Sequence, residues 1–282
     1  MKPAPFEYHA PETIDEVLAL LVEHGDEAKV LAGGQSLVPM LALRLTRFEH
    51  LVDLNRVGEL SGFSRENGAL VVRAATRQRV MERDAEIASA VPLLARATPL
   101  IGHFQIRNRG TVGGSLAHAD SASEYPAVAV ALGAELELAG RGGVRRRVGA
   151  DDFFLGTWTT AAAPDELLVA ARFPVWPERS GFAIDEVARR HGDFALAGVA
   201  CAVSDGRAGL ALFGVGSTPV RARAGEAALL AGATAADVAE AAVADLEPPA
   251  DVHASASTRL RIARHLVERA VNRAREELRV AG

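Results

Sequence analysis

Apolar residues along this 282-residue chain recur at two spacings, and each spacing predicts one kind of element. Residues 13–24 carry apolar side chains at helical spacing, and Thr13 is of a type that caps helix N-termini. Ala28–Leu31 and His50–Asn55 read as short buried strands, with a helical or turn-like stretch at 37–45 between them. This order predicts a first lobe of β-α-β type.

The following residues predict a second lobe that mixes strands with short helices. In order, the pattern predicts a strand at Ala69–Ala74, a helix that Thr76 caps and that runs to Met81, helices at Ile87–Ala97 and Glu124–Leu132, a hairpin of Ala134–Leu138 with Val144–Val148, and a strand at Glu166–Phe173. Pro174 and Pro177 then interrupt the pattern, which indicates a domain boundary.

The C-terminal third has a different pattern, in which strands come first and helices follow. Ala197–Val203 and Ala208–Val215 flank Asp205-Gly206, a strong signal for a two-residue hairpin turn. Helices are predicted at 220–230, at 235–245 and, with one continuous apolar stripe, at 256–279.

These patterns predict an α+β chain with two domains. The first domain covers residues 1–177, with lobes at about 1–57 and 58–177. The second, smaller domain covers residues 178–282 and combines an antiparallel sheet with helices.

Composition narrows the classes of function that the chain can have. Hydrophobic residues make up 49% of the chain, and the formal net charge of −5 argues against nucleic acid as the main partner, because such binding requires a basic face. Lys2 and Lys29 are the only lysines, and neither belongs to a P-loop motif. No signal-peptide core and no run of roughly 18–20 apolar residues is present. We therefore expect a cytoplasmic protein with no nucleic-acid partner and no transmembrane segment.

The residues that several kinds of catalysis and metal binding require are missing from this sequence. Cys201 is the only cysteine, so the chain can neither form an internal disulfide nor hold an iron–sulfur cluster. The eight histidines are scattered and follow no metal-ligand spacing, so no metal site is expected. No Gly-x-Ser-x-Gly motif of a hydrolase occurs. We assign no catalytic residue to the chain.

Two stretches with paired glycines carry the clearest functional signal. They are Val30–Ser36, the first glycine stretch, and Thr111–Ser115, the second glycine stretch. Each breaks from an apolar run into Gly-Gly and then a hydroxyl residue, and the backbone amides of such a turn can converge on a phosphate. Ser36, Thr111 and Ser115 would add hydroxyl donors. We predict that the two stretches enclose one diphosphate.

A flavin adenine dinucleotide (FAD) cradle is the interpretation that suits these features. A carboxylate such as Glu124 could accept a hydrogen bond from a ribose or ribityl hydroxyl. Glu124 could equally be an acid that opposes the dipole of the helix it begins. His103 and His118 flank the second glycine stretch and could touch a ligand, although hydrogen bonding within their own loop is the commoner role.

Three sequence blocks carry a resemblance to a known family. Ala32–Met40 and Ile106–Asp120 resemble the two flavin motifs of the medium subunit of molybdenum hydroxylases, and Ala188–Ala195 resembles the start of its C-terminal domain. The similarity runs in order across essentially the whole chain. The nearest type is the medium subunit of aerobic carbon monoxide dehydrogenase, a relative of the flavin domain of xanthine dehydrogenase.

The resemblance implies a fold and a set of cofactor-binding residues. The fold would be a two-lobed vanillyl-alcohol-oxidase (PCMH)-type FAD-binding domain, followed by a smaller α+β C-terminal domain. Backbone amides of both glycine stretches would hold the diphosphate, and an apolar residue, a carboxylate and a backbone contact would lie near the flavin. The residues implied are Ala32, Gly33, Gly34, Gln35, Ser36, Ile101, Thr111, Gly113, Gly114, Ser115, Glu124 and Leu168.

Two departures from the family pattern stand near this predicted site. Gln35 replaces the histidine of some relatives. Relatives often carry a lysine near position 185 or 186, where this chain has Asp185 and Glu186. Whether either acid contacts the flavin is left open.

The resemblance also implies a role in a larger complex. The chain would be the FAD-binding electron-transfer subunit, with the molybdopterin cofactor in a large subunit and two [2Fe–2S] clusters in a small one, assembled as a dimer of heterotrimers. Electrons would pass through FAD to a quinone, NAD⁺ or dioxygen. The alternatives are a stand-alone flavin reductase of the same fold and a non-catalytic assembly subunit that has lost FAD. The substrate of the complex, whether carbon monoxide, an N-heterocycle or an aldehyde, is left open.

Overall fold

A small parallel sheet, covered by a helix, begins the chain in the computed structural model, which describes residues 2–280. The strands β1 (Glu7–His9), β2 (Ala28–Leu31) and β3 (His50–Asp53) have the order β1-β3-β2, and both neighbouring pairs are parallel. Helix α1 (Ile14–His24) connects β1 to β2, and α2 (Leu37–Ala42) follows β2. The predicted β-α-β arrangement is confirmed, whereas β1 was not predicted.

The apolar stripe of α1 holds this helix on the sheet. Val17 and Leu21 are buried together with Val52 of β3 in one cluster. The hydroxyl of Thr13 accepts a hydrogen bond from the amide of Glu16 at 3.2 Å, so the predicted N-cap is confirmed. The helix ends at His24, close to the start of β2.

A five-stranded antiparallel sheet forms the centre of the second lobe. Its order is β4-β5-β10-β6-β7, and a separate two-stranded sheet pairs β8 with β9. The strands are β4 (Phe63–Glu66), β5 (Ala69–Arg73), β6 (Glu135–Ala139), β7 (Arg145–Gly149), β8 (Phe154–Gly156), β9 (Thr159–Thr160) and β10 (Leu167–Pro174). The predicted strands β5, β6, β7 and β10 are confirmed, and β4 is an addition.

Short helices surround this sheet, and two of the predictions made for them are wrong. The helices are α3 (Gln78–Arg83), α4 (Ala85–Ala90), α5 (Pro92–Ala97), α6 (Phe104–Arg109), α7 (Val112–His118), α8 (Glu124–Leu132) and α9 (Ala150–Phe153). Thr76 does not cap α3, because its hydroxyl donates to the carbonyl of Gly62 at 2.7 Å instead. The single helix predicted at Ile87–Ala97 is interrupted at Val91, whose helical conformation the following proline disfavours.

The C-terminal part is a four-stranded antiparallel sheet with three helices. Its strands are β11 (Ser180–Ala188), β12 (Ala195–Ser204), β13 (Arg207–Phe213) and β14 (Val220–Arg221), and its helices are α10 (Arg223–Leu230), α11 (Ala235–Val243) and α12 (Ala256–Val280). The hairpin at Asp205-Gly206 and the α+β class are confirmed, and β11 was not predicted. Within residues 2–280, no helix combines the length and the apolarity that crossing a membrane requires.

Helix α8 lies between the second lobe and the C-terminal sheet. Each of its residues is buried, and it contacts α5 on one side and β12 and β13 on the other. Phe173 of β10 and Phe213 of β13 belong to the same buried cluster as α8. The two predicted domains therefore share one hydrophobic cluster, while the C-terminal part also has a cluster of its own, and their division at residue 177 stays a prediction.

We predict that Gly209→Ala destabilises the protein by about 2 kcal/mol, because Gly209 of β13 packs directly on the backbone of α8. A Cβ on Gly209 would lie 2.9 Å from the carbonyl carbon of Ala131 and closer still to its oxygen. Neither backbone atom can move aside by a change of rotamer. Urea denaturation measures the loss.

Gly58→Ala is the matched control for this substitution. A Cβ on Gly58 would meet no other atom within 4 Å, so we expect its free energy of unfolding to change by less than about 0.5 kcal/mol. Equal stability of the two variants would contradict the close packing of β13 on α8.

Candidate cofactor site

A cavity of about 760 Å³ opens between the first lobe, the second lobe and the loop that follows β11. All twelve residues implied by the family resemblance line it. Gly192, Asp193 and Phe194 of the third sequence block line it as well. Small-molecule and cofactor sites have volumes of about 300–1,000 Å³, so the cavity has the size of such a site. The structure brings the predicted residues together, and their role as cofactor ligands stays a prediction.

The first glycine stretch packs directly on the backbone that precedes the second stretch, and the two stretches lie side by side at this cavity. A Cβ on Gly33 would lie 2.7 Å from the Cα of Gly110, the residue that precedes the second stretch. A Cβ on Gly114 would lie 3.4 Å from the methyl group of Ala32. Any side chain at position 33 would therefore push the two stretches apart.

The first glycine stretch has the backbone amides that an anion requires. Gly34 adopts a φ of +73°, which lets the chain turn sharply from β2 into α2. The amides of residues 33–36 donate to no protein acceptor within the described part of the chain. The hydroxyl of Ser36 does not cap α2 either, so it is also free to donate to a ligand.

The second glycine stretch differs from its prediction, because its glycines form the first turn of α7 and not a loop turn. Thr111 caps this helix by accepting from the amide of Gly114 at 3.0 Å. The amide of Gly113 donates to the carbonyl of Ala74 at 2.8 Å, and that of Ser115 to the carbonyl of Thr111 at 3.1 Å. These amides donate to backbone carbonyls of the protein, so they are not available to a ligand. The second stretch thus contributes hydroxyl groups to the cavity wall. Its glycines form a part of that wall without side chains.

Gln35 stabilises the first stretch from within. Its side-chain amide donates to the carbonyl of Gly33 at 3.0 Å. The side chain that replaces the histidine of some relatives therefore holds the loop through a carbonyl group and occupies none of its backbone amides.

Glu124 lies both at the start of a helix and at the cavity, so its position fits either interpretation that the sequence left open, and its role stays a prediction. It is the first residue of α8, and it also lines the cavity while buried. Burial raises the pKa of its carboxyl group to about 8, and the negative charge of Glu186 contributes to the shift. At neutral pH the carboxyl is therefore mainly protonated, so it can donate one hydrogen bond to a ligand and accept others.

The two acids at the positions where relatives often have a lysine do not line the cavity. Asp185 forms an ion pair with Arg269 of α12 at 2.5 Å and lies 3.5 Å from Arg273. Burial, followed by the charge of Asp185, raises the pKa of Glu186 to about 7. One carboxyl oxygen of Glu186 is buried without a hydrogen-bond partner among the described residues. A lysine here would lower the pKa of Glu124, whereas Glu186 raises it.

Several residues that line the cavity were not found from the sequence. Lys29 of β2 projects beside the ring of Phe48, with 5.6 Å between the ammonium group and the ring centroid. Trp158, between β8 and β9, is 58% exposed and its ring lies parallel to that of His118. Burial lowers the pKa of His118, which favours the neutral imidazole. No motif marks these positions, because each comes from a segment that the fold alone brings to the cavity.

Ile101 and Leu168 supply apolar surface to the cavity wall. Leu168 belongs to β10 and is buried, and Ile101 lies in the segment before α6 and is partly buried. His103, in contrast, packs beside the third sequence block, with its ring 5.7 Å from that of His191.

Comparison with known proteins gives two family matches that together cover most of the chain. Residues 4–176 match the family described as "FAD binding domain in molybdopterin dehydrogenase", and residues 182–274 match the "CO dehydrogenase flavoprotein C-terminal domain". The carbon monoxide dehydrogenase medium chain of Hydrogenophaga pseudoflava is 39% identical, over 97% of this chain and 98% of that protein. Subunit alpha of the 6-hydroxypseudooxynicotine dehydrogenase complex of Paenarthrobacter nicotinovorans is also 39% identical, over 97% and 96% of the two chains.

A solved structure of carbon monoxide dehydrogenase from Hydrogenophaga pseudoflava has the same fold. The TM-score is 0.95 with 40% sequence identity, over 98% of this chain and 99% of that one. The implied architecture, an FAD-binding domain followed by a carbon monoxide dehydrogenase-type C-terminal domain, is confirmed. The chain belongs to the family of FAD-binding medium subunits of molybdenum hydroxylases, the oxidoreductase family that includes the carbon monoxide dehydrogenase medium chain.

Proposed function

We propose that this chain is the electron-transfer subunit of a molybdenum hydroxylase complex and holds FAD in the 760 Å³ cavity. Electrons would arrive from two [2Fe–2S] clusters of a small subunit and leave to a quinone, NAD⁺ or dioxygen. A large subunit with the molybdopterin cofactor would oxidise the substrate, in a dimer of heterotrimers. The observation that carries the proposal is the loop of unengaged amides at residues 33–36, which faces a cavity lined by all twelve implied residues.

The residues of the cavity fit the three chemical parts of FAD. The amides of residues 33–36 and the hydroxyl of Ser36 would hold the diphosphate, with Ser115 adding a hydroxyl from the facing stretch. Glu124, as a neutral carboxyl, would bind a hydroxyl of the ribityl or ribose group without placing a negative charge near the diphosphate. Ile101 and Leu168 would contact the ring system. The bound cofactor supplies the redox chemistry, and the protein binds and orients it.

No protein side chain is assigned a proton-transfer step in this function. The work of the chain is binding, orientation and electrostatics, since an electron relay needs a cofactor held at fixed distances from its neighbours. The choice of substrate would rest with the large subunit.

We expect Gly33→Ala to lower FAD affinity at least about tenfold, a loss of about 1.4 kcal/mol. The added Cβ would meet the Cα of Gly110 at 2.7 Å and displace the loop that carries the amides. The measurement is the FAD content of the purified protein and its titration with FAD, with circular dichroism to show that the fold is retained.

Gly58→Ala provides a variant with the same chemical change at a residue that does not line the cavity, and it should bind FAD like the wild type. Full FAD content in the Gly33→Ala protein would rule out the proposed cradle. Absence of FAD from the intact wild-type complex would favour the assembly subunit that has lost its cofactor.

Glu124 should make the stability of the protein depend on pH. Its pKa is about 8 in the fold and near 4.5 when unfolded, so the folded state binds the extra proton between these values. The stabilisation is complete below about pH 4.5 and is lost as the pH rises through about 8. Glu124→Gln mimics the neutral acid and cannot ionise. Between pH 5 and 9 the free energy of unfolding should therefore decrease in both proteins, and the decrease in the variant should be smaller by at least about 1 kcal/mol.

Urea denaturation at several pH values, without added FAD, measures this difference. Glu23→Gln, an exposed substitution on α1, should leave the wild-type pH profile unchanged. A Glu124→Gln profile that overlays the wild type would show that Glu124 is ionised in the fold at neutral pH.

Purification from the cells that make the protein separates the proposed function from a stand-alone flavin reductase. We expect a tagged chain to copurify with two further chains and with molybdenum and iron in the preparation. A flavin reductase would instead be isolated as a single chain that oxidises NAD(P)H on its own. Metal analysis and the subunit composition decide between the two.

A further inference from the structure

Three histidines that are far apart in the sequence lie together at one end of the small parallel sheet. His9 is on β1, His24 is the last residue of α1, and His50 is the first residue of β3. One ring nitrogen of each lies within 4.8 Å of those of the other two. His9 Nε2 and His50 Nδ1 are 3.1 Å apart, and the rings of His24 and His50 stack with 3.7 Å between centroids.

The fold itself brings these side chains together. In the parallel pairing of β1 with β3, Glu7 lies beside His50 and His9 beside Val52. Alternate residues of a strand point to the same face, so His9 and His50 share the face on which Val52 is buried. Helix α1 covers that face through Leu21, one turn before His24. The three histidines therefore occupy the open end of a packed layer.

We propose that His9, His24 and His50 bind a divalent transition-metal ion of the Zn²⁺ class, with Glu7 as the fourth ligand. Imidazole is a preferred ligand for Zn²⁺, and three histidines with one oxygen ligand complete a tetrahedral site. With bonds of about 2.0–2.1 Å, neighbouring ligand atoms of such a site lie about 3.3 Å apart. The separation of 3.1 Å between His9 and His50 is close to this value, and Glu7 Oε2 lies 3.6 Å from His50 Nδ1.

Metal binding needs a small rearrangement of one side chain. The His24 and His50 rings are parallel within 9°, and two parallel ring planes cannot both contain one ion. The His24 ring must rotate out of the stack. His24 is partly exposed at the end of its helix, so this rotation needs no change in the backbone.

The ion would link β1, α1 and β3 to one another. It would also fix the end of α1 next to the cofactor cavity, because Gly25 and Asp26, which follow His24, line that cavity. The role of the site would be structural, and it is independent of the function proposed for the cavity. The expectation of no metal site was based on spacing along the chain, and these histidines are 15 and 26 residues apart in sequence but adjacent in space.

Titration of the full chain with Zn²⁺ by calorimetry, after treatment with a chelator, tests the proposal. We expect one Zn²⁺ per chain and a rise of a few degrees in Tm at saturation. His50→Ala and His24→Gln should each weaken binding at least about tenfold. Both variants should have a circular dichroism spectrum like that of the wild type, which separates loss of the site from loss of the fold.

Two control variants exclude binding elsewhere on the chain. His265→Ala removes an exposed histidine of α12, and His191→Ala breaks the His103–His191 pair; both should bind Zn²⁺ like the wild type. The proposal is wrong if the wild type binds no Zn²⁺. It is equally wrong if His191→Ala abolishes binding while His50→Ala and His24→Gln retain it.

Discussion

The contact between the two glycine-rich segments is the constraint on which the cofactor cavity depends. Gly33 packs against the backbone of Gly110 with no side chain between them. Arg77 reinforces the contact, because its guanidinium donates to the carbonyl of Arg109 and to the side chain of Asn55. A backbone-to-backbone contact fixes the separation of the first and second lobes more strictly than side-chain packing could. The cavity lies between the two lobes, and this contact determines how far apart its walls are.

The sequence was most informative where one physical signal acts over a long or tightly defined segment. The apolar stripe of α12 and the Asp-Gly turn between β12 and β13 were predicted because local pattern alone determines them. The short strands β1 and β4 were missed, since three or four residues carry too little pattern. The nine-residue strand β11 was missed for another reason: Gly181, Asp185 and Glu186 break its alternation, and tertiary contacts with α12 hold them.

Some residues of the candidate site could be assigned from the sequence, and others could not. Its glycines and hydroxyl residues stand in two short motifs, so the family resemblance could assign them. Lys29, Trp158 and Glu186 could not be assigned, because their position near the cavity or near Glu124 depends on how distant segments pack. The sequence also did not predict that the second glycine stretch is helical. Two glycines disfavour a helix locally, and the cap from Thr111 with the hydrogen bond to Ala74 outweighs that preference.

Helix α8 has a consequence for how the protein is made. Its residues are buried on all sides, so it has no face that water could cover, and its surroundings include strands from the last third of the chain. Helix α8, which begins with Glu124, can reach this buried environment only after β12 and β13 have been synthesised and have packed on it. Completion of the cavity, which Glu124 lines, would then follow the synthesis and packing of these two strands. Loading of a cofactor would be a late event in biogenesis, although almost all of the cavity is encoded in the first two thirds of the sequence.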